Sequence, residues 1–514
     1  MEKKKRSVNV LFNSLFGVLA TIVSTLMTFA VRKALSYSLG EEVYGLNTLF
    51  ASVITTLLIM ELGISTAMTF YLYKPIAEED NERIKSIIRL YRNVYRVFCT
   101  ILFGCGLIVG WLFLPYMVTS SLSMNTVREY FFIFLVSIVI KYLWSYKRSI
   151  LFASQQNRVC TGVTAGCELF LGVLEIFVLI HMRNYFLYLV LLVLQNTASN
   201  CICNWIVNKK YAYIKEKEVQ PISKEDKKKI VKTIKPLFIQ RIAGVIQDSS
   251  ITVILSVMSD SIATVGFYGN YQLVLHTAQA LYSQIGAAFT TSFGNFSAQE
   301  NRENCYRVYK KSRFLMNWLS ALIAICFMLL IQMFIELFFG ANYVLNIKTV
   351  LILTVYLYGY LNNVILVSIQ NALGLHAIDA KQMVYQAFLN IVLSICGGVL
   401  WGLEGILLGM LVSTFIFSTV YKGMAIYKHL FKKSRAEYVK MLINEYIRFV
   451  LCGVLSYIVM GFFLNENTLL IWLIRALVSC VLVNVLFCVL SIKNSDFEVI
   501  KGIVRNLVKN RRRC

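Results

Sequence analysis

The stretch KKKRSVNVLFNSLFGVLATIVSTLMTFAVRK, residues 3–33, decides the fold. Four basic residues, Lys3 to Arg6, precede an apolar run that reaches Val31. The run is too long for a signal-peptide core and has no small-residue cleavage site before its end, so it reads as an uncleaved membrane span. Basic flanks stay on the cytoplasmic side during insertion, which sets the N-terminus inside. Similar runs recur to the end of the chain. Spans are expected near 10–32, 46–72, 94–117, 129–152, 159–181, 185–207, 237–258, 269–293, 314–338, 348–371, 381–400, 403–424, 445–464 and 469–491.

Composition agrees with that reading. The 514 residues are 58% hydrophobic and 15% charged, whereas a soluble domain averages about 45–50% apolar and 25% charged residues. An ordinary soluble enzyme, a disordered regulator and a secreted disulfide scaffold are therefore excluded. The formal net charge of +24 does not indicate a nucleic-acid partner, because the basic residues punctuate hydrophobic runs. Of the 51 Lys and Arg, 44 fall in alternate gaps between spans, Arg313 among them. This asymmetry predicts cytoplasmic termini and an even number of spans, which fourteen satisfies. Anionic membrane lipids are the expected partners of the basic segments.

The longest hydrophilic stretch, Asn208 to Pro236, follows six spans and contains Ser223-Lys224-Glu225-Asp226, a helix-start pattern for a basic amphipathic segment. A second start, Ser434-Arg435-Ala436-Glu437, follows six more spans. Internal similarity supports duplication. Val43-Tyr44-Gly45-Leu46-Asn47 matches Phe267-Tyr268-Gly269-Asn270, and the segment from Ala77 to Arg83 aligns with Ala298 to Glu303. Both copies start inside after an even number of spans, so they have the same topology, as in parallel-repeat transporters. The expected fold is an all-α polytopic membrane protein with about fourteen transmembrane helices. Residues 1–207 form an N-terminal six-helix lobe, 208–236 a basic cytoplasmic linker, 237–430 a C-terminal six-helix lobe, and 431–514 a terminal pair with a basic tail.

Charges inside spans are candidate cavity groups, since each costs about 2.5–3.5 kcal/mol at a lipid-facing helix centre. Arg32 lies toward the outer end of the first span and could attract phosphate or an acidic sugar, or snorkel beside Lys33. Arg241, Gln247 and Asp248 form a polar strip entering the seventh span. Gln272, Asn362 and Asn363 offer hydrogen bonds suited to sugar hydroxyls, although interhelical amide bonds account for them equally well. Glu61, deep in the second span, is the ion-coupling candidate, with Glu168, Glu175, Glu336 and Glu404 behind it. Tyr37, Tyr44, Tyr268 and Tyr271 fit either sugar stacking or an interfacial aromatic belt. Three glycine pairs four apart, Gly106/Gly110, Gly162/Gly166 and Gly405/Gly409, mark close helix packing.

No cofactor and no metal site are indicated. Cys201 and Cys203 lack a matching pair or nearby histidines, and the terminal Arg511-Arg512-Arg513-Cys514 is not a prenylation signal. Neither a phosphate loop nor a DxD motif occurs, which argues against an enzyme.

The run Asn13, Arg32, Leu39-Gly40-Glu41-Glu42-Val43-Tyr44-Gly45-Leu46, with Glu61-Leu62-Gly63-Ile64 and Lys74-Pro75-Ile76-Ala77, resembles bacterial polysaccharide biosynthesis proteins of the oligosaccharide flippase type. These belong to the multidrug/oligosaccharidyl-lipid/polysaccharide exporter superfamily. The resemblance implies a carrier moving an undecaprenyl-pyrophosphate-linked oligosaccharide from the cytoplasmic to the outer leaflet of the bacterial plasma membrane by alternating access. A polysaccharide polymerase and glycosyltransferases would be its neighbours in synthesis. A lipid II flippase or a multidrug/cation antiporter of the same superfamily is the alternative, and a scaffold for glycan synthesis a further one.

Overall fold

The computed structural model describes residues 2–58, 61, 68, 71–72, 75–76, 78–154, 156–215, 244, 249–259, 261–297, 300–373, 376–462 and 467–492. The expected linker helix at Ser223, and the candidates Arg241, Gln247 and Asp248, lie outside the described residues, as does the C-terminal basic tail. The described residues are helical, with no strand among them. Nine helices among them are long and apolar enough to cross a membrane. The chain divides into two compact units, Met1–Gly269 and Asn270–Cys514. This is a multi-pass membrane protein.

In the first unit the long helices are α1 (Glu2–Leu57), α2 (Asn81–Ile108), α3 (Met124–Leu143), α4 (Asn157–Phe177) and α5 (Tyr185–Lys210). Helix α6 (Ala263–Ser297) begins within this unit. Two expected spans share α1, which breaks at Gly40, where φ is 82°. Only glycine adopts that backbone freely. Residues twelve apart in a straight helix are separated by about 18 Å, yet Arg32 Nη1 reaches Tyr44 Oη at 3.4 Å, so the chain folds back at the break.

Helix starts follow local chemistry. Asp80 accepts from the Arg83 amide at 3.0 Å, Ser123 from Thr126 at 3.2 Å and Asn184 from Leu187 at 3.0 Å, each satisfying an amide that the helix leaves open. The unit's core joins Tyr91, Tyr95, Phe98 and Leu102 of α2 to Ile150, Cys203 and Val207. Gly106 of α2, and Gly110 in the π-helical segment Val109–Phe113 that continues it, pack against Leu135 and Phe131 of α3. Gly162 of α4 faces Phe16, whereas its partner Gly166 has no neighbour within 4 Å.

The second unit continues with α7 (Arg302–Phe339), α8 (Ile347–Leu373), α9 (His376–Thr414), α10 (Arg435–Met460) and α11 (Leu469–Ser491). Helix α9 also carries two expected spans and breaks at Trp401 and Gly402. Across this hairpin the backbones nearly touch: a Cβ at Gly405 would sit 1.9 Å from the Gly397 carbonyl oxygen. Asn301 caps α7 through the Asn304 amide at 2.9 Å. Its counterpart in the internal repeat is Asp80, three residues after the aligned alanine in each copy, so part of the repeat encodes a helix start. Ser434 caps α10 as its pattern predicts, accepting from Ala436 at 3.2 Å.

Arg313, counted among the cytoplasmic gap residues, is fully buried within the second unit. Its Nε and Nη2 donate to the Glu445 carboxylate at 2.9 and 2.8 Å, tying α7 to α10. A charge inside a low-dielectric core needs this pairing, and the bidentate geometry supplies it.

Candidate functional site

The first unit holds a partly open cavity of about 220 Å³ walled by α1, α3, α4 and α5, with Arg32, Glu168 and Glu175 as its ionisable lining. Sequence explains how it forms. Helices α1 and α4 run parallel, since Phe16 meets Gly162 and Met27 meets Gly172, while Ser24 donates to Glu168 Oε2. Arg32 lies eight residues beyond Ser24, and Glu175 seven beyond Glu168. At 1.5 Å per residue those are rises of about 12 and 10.5 Å, so Arg32 and Glu175 occupy similar depths.

Their partners differ. Arg32 Nη1 donates to the Gly269 carbonyl at 2.9 Å. Beside it, Gly45 and Gly266 bring the second half of α1 against the start of α6: a Cβ at Gly45 would fall 2.2 Å from the Ile262 oxygen. Glu175 is 3% exposed, and its Oε1 has no hydrogen-bond partner among the described residues. Neither carboxyl group forms a salt bridge with Arg32, so all three side chains line the cavity unpaired with one another. Ser24, Thr28, Asn47 and Gln195 add hydrogen-bonding groups, and Phe134 and Tyr188 add aromatic surface. Such a lining suits a polar, charged ligand bound in a small space.

The other sequence candidates are distributed differently. Lys33 is exposed. Glu61 is buried outside the cavity lining and accepts from Tyr95 Oη at 3.0 Å. Gln272 is half-buried on α6. Asn362 belongs to the buried network around Arg313: its Nδ2 donates to Glu445 Oε2 at 3.0 Å, and Asn317 donates to Tyr358 Oη at 2.6 Å. Asn363 donates to Thr419 Oγ1 at 2.7 Å. These contacts favour the interhelical reading for both asparagines. Tyr44, Tyr268 and Tyr271 are also buried, so they form neither an open stacking surface nor an aromatic belt, whereas Tyr37 is exposed. Glu168 and Glu175 share a helix face seven apart, a spacing already present in the sequence.

Comparisons place this architecture among known proteins. A multidrug resistance MATE family transporter of the MOP superfamily, in an inward-facing conformation, is similar at 14% identity and a TM-score of 0.66, covering 77% of this chain and 92% of that one. The lipid II flippase MurJ in an inward closed conformation is similar at 13% identity and a TM-score of 0.66, covering 94% and 98%. An outward-facing MATE family transporter aligns at 14% identity with a TM-score of 0.53, covering 80% and 93%. At these identities the likeness is one of fold. Among curated proteins, none matches the sequence. The family described as polysaccharide biosynthesis protein matches residues 10–297, more than half of the chain. The chain therefore belongs to the polysaccharide biosynthesis protein family.

Proposed function

We propose that this protein is a flippase that carries an undecaprenyl-pyrophosphate-linked oligosaccharide from the cytoplasmic to the outer leaflet of a bacterial plasma membrane by alternating access, with both termini cytoplasmic. The observation that carries the reading is Arg32, a cationic side chain within the membrane that lines a polar cavity in a chain of the polysaccharide biosynthesis family. A glycan diphosphate cannot enter hydrocarbon unaided, because burying an unpaired charge is prohibitive. Arg32 offers a planar, permanently charged fork for phosphate oxygens. Its present acceptors are the Gly269 carbonyl and the Tyr44 hydroxyl, both neutral, which a phosphate can displace with a charge-assisted hydrogen bond. Glu61 is the carboxylate proposed for ion coupling.

Reconstitution in liposomes tests this reading. Undecaprenyl-diphosphate-linked oligosaccharides should cross between leaflets, small cationic dyes should not, and Arg32→Ala should slow transfer while leaving insertion intact. Normal transfer by that variant removes Arg32 from the mechanism. The carboxylates Glu168 and Glu175 favour a second reading, a multidrug/cation antiporter. Dye transport without lipid transfer would establish it in place of the first.

A further inference from the structure

We infer that the cavity in the first unit recognises a sugar bearing a free ammonium group, with Glu175 as its specificity-determining residue; this rests on the flippase reading. Three observations converge. The Glu175 side chain is 3% exposed, lines the cavity and has an Oε1 with no hydrogen-bond partner among the described residues. A carboxylate oxygen buried in that state demands a donor. Arg32 lines the same cavity at a similar depth without pairing to Glu175, so a ligand can engage both. Finally, the cavity volume of about 220 Å³ lies below the roughly 300–1,000 Å³ of most drug-sized sites, which suits one polar portion of a substrate rather than the whole of it.

The charges select the ligand. The lining sets two carboxyl groups, Glu168 and Glu175, against one guanidinium, Arg32, so a sugar that is only anionic finds no partner at Glu175, whereas a cation brought there favours its carboxylate form. An ammonium brings three donors and a positive charge to Glu175. Its sugar ring can lie against Phe134 and Tyr188 with its hydroxyls toward Asn47 and Gln195, while Arg32 takes the anionic group of the same substrate. Acetylation of the amine removes the charge and leaves a single N–H, so the acetamido sugar loses the interaction that Glu175 provides.

The test uses full-length protein in nanodiscs with two probes, undecaprenyl diphosphate carrying glucosamine and the same lipid carrying N-acetylglucosamine. Wild type should bind the amine form at least about tenfold more tightly, or about 1.4 kcal/mol. Glu175→Gln should bring the ratio close to one without weakening the acetylated probe, and Glu175→Asp should retain part of the preference. Raising the pH to deprotonate the probe amine should erase the preference in wild type. Equal binding of both probes by wild type overturns the assignment while leaving the flippase reading intact; binding of neither probe overturns both. A Glu175→Gln variant that loses sodium or proton dependence but retains the amine preference also overturns the assignment, because the carboxylate then serves a small cation.

Discussion

Replacing Glu445 by Gln tests the reasoning applied to buried charge. In the native protein Arg313 is fully buried and gives two charge-assisted hydrogen bonds to Glu445, at 2.9 and 2.8 Å, while Asn362 adds a third at 3.0 Å. Hydrogen bonds to charged groups contribute about 1.5–3 kcal/mol each. Glutamine retains one oxygen acceptor but cannot neutralise the guanidinium. The expected loss is therefore that of a broken buried pair, about 3–5 kcal/mol. The double variant Arg313→Met, Glu445→Leu removes both charges and should recover most of this loss, because well-packed apolar residues often replace a buried ion pair without penalty. Unfolding of the purified protein by SDS in mixed micelles, followed by tryptophan fluorescence, measures both effects. A Glu445→Gln variant within about 1 kcal/mol of wild type would refute the argument, since a buried pair should be worth several times that. A double variant as unstable as the single one would show that packing, rather than the orphaned charge, sets the loss.

Three further outcomes are expected. Gly405→Val should abolish the monodisperse folded peak in gel filtration, because its Cβ would meet the Gly397 backbone at 1.9 Å; Gly17→Ala, with nothing within 4 Å, should leave the peak unchanged. Asp80→Ala and Asn301→Ala should each cost about 1 kcal/mol of stability. The two losses should add in the double variant, and strong non-additivity in SDS unfolding would mean that the caps do more than start separate helices. Glu61→Gln should remove any stimulation of lipid transfer by an imposed ion gradient while preserving gradient-free exchange, and undiminished stimulation would exclude Glu61 from coupling.

The sequence by itself determined the all-helical, membrane-spanning character of the chain, the family resemblance in its first hundred residues and the helix start at Ser434. Those features are one-dimensional: hydropathy runs, charge at span ends and caps act within a few residues of themselves. Gly40 and Gly402 lay within reach of the same logic, as the glycines where two merged helices break.

Tertiary structure alone decided which polar groups meet. Arg313 and Glu445 are 132 residues apart, and nothing local distinguishes that arginine from its basic neighbours on the same helix, which the charge count assigned to a cytoplasmic gap. Helical spacing put Glu168 and Glu175 on one face but could not say that Ser24 would occupy one while an oxygen of the other went without a partner. Nor could it show that Tyr95 would bond to Glu61 outside that cavity. A periodic pattern fixes the direction in which a side chain leaves its helix. The neighbour it finds there, and hence whether a charge is paired, solvated or available to a ligand, depends on how distant helices pack.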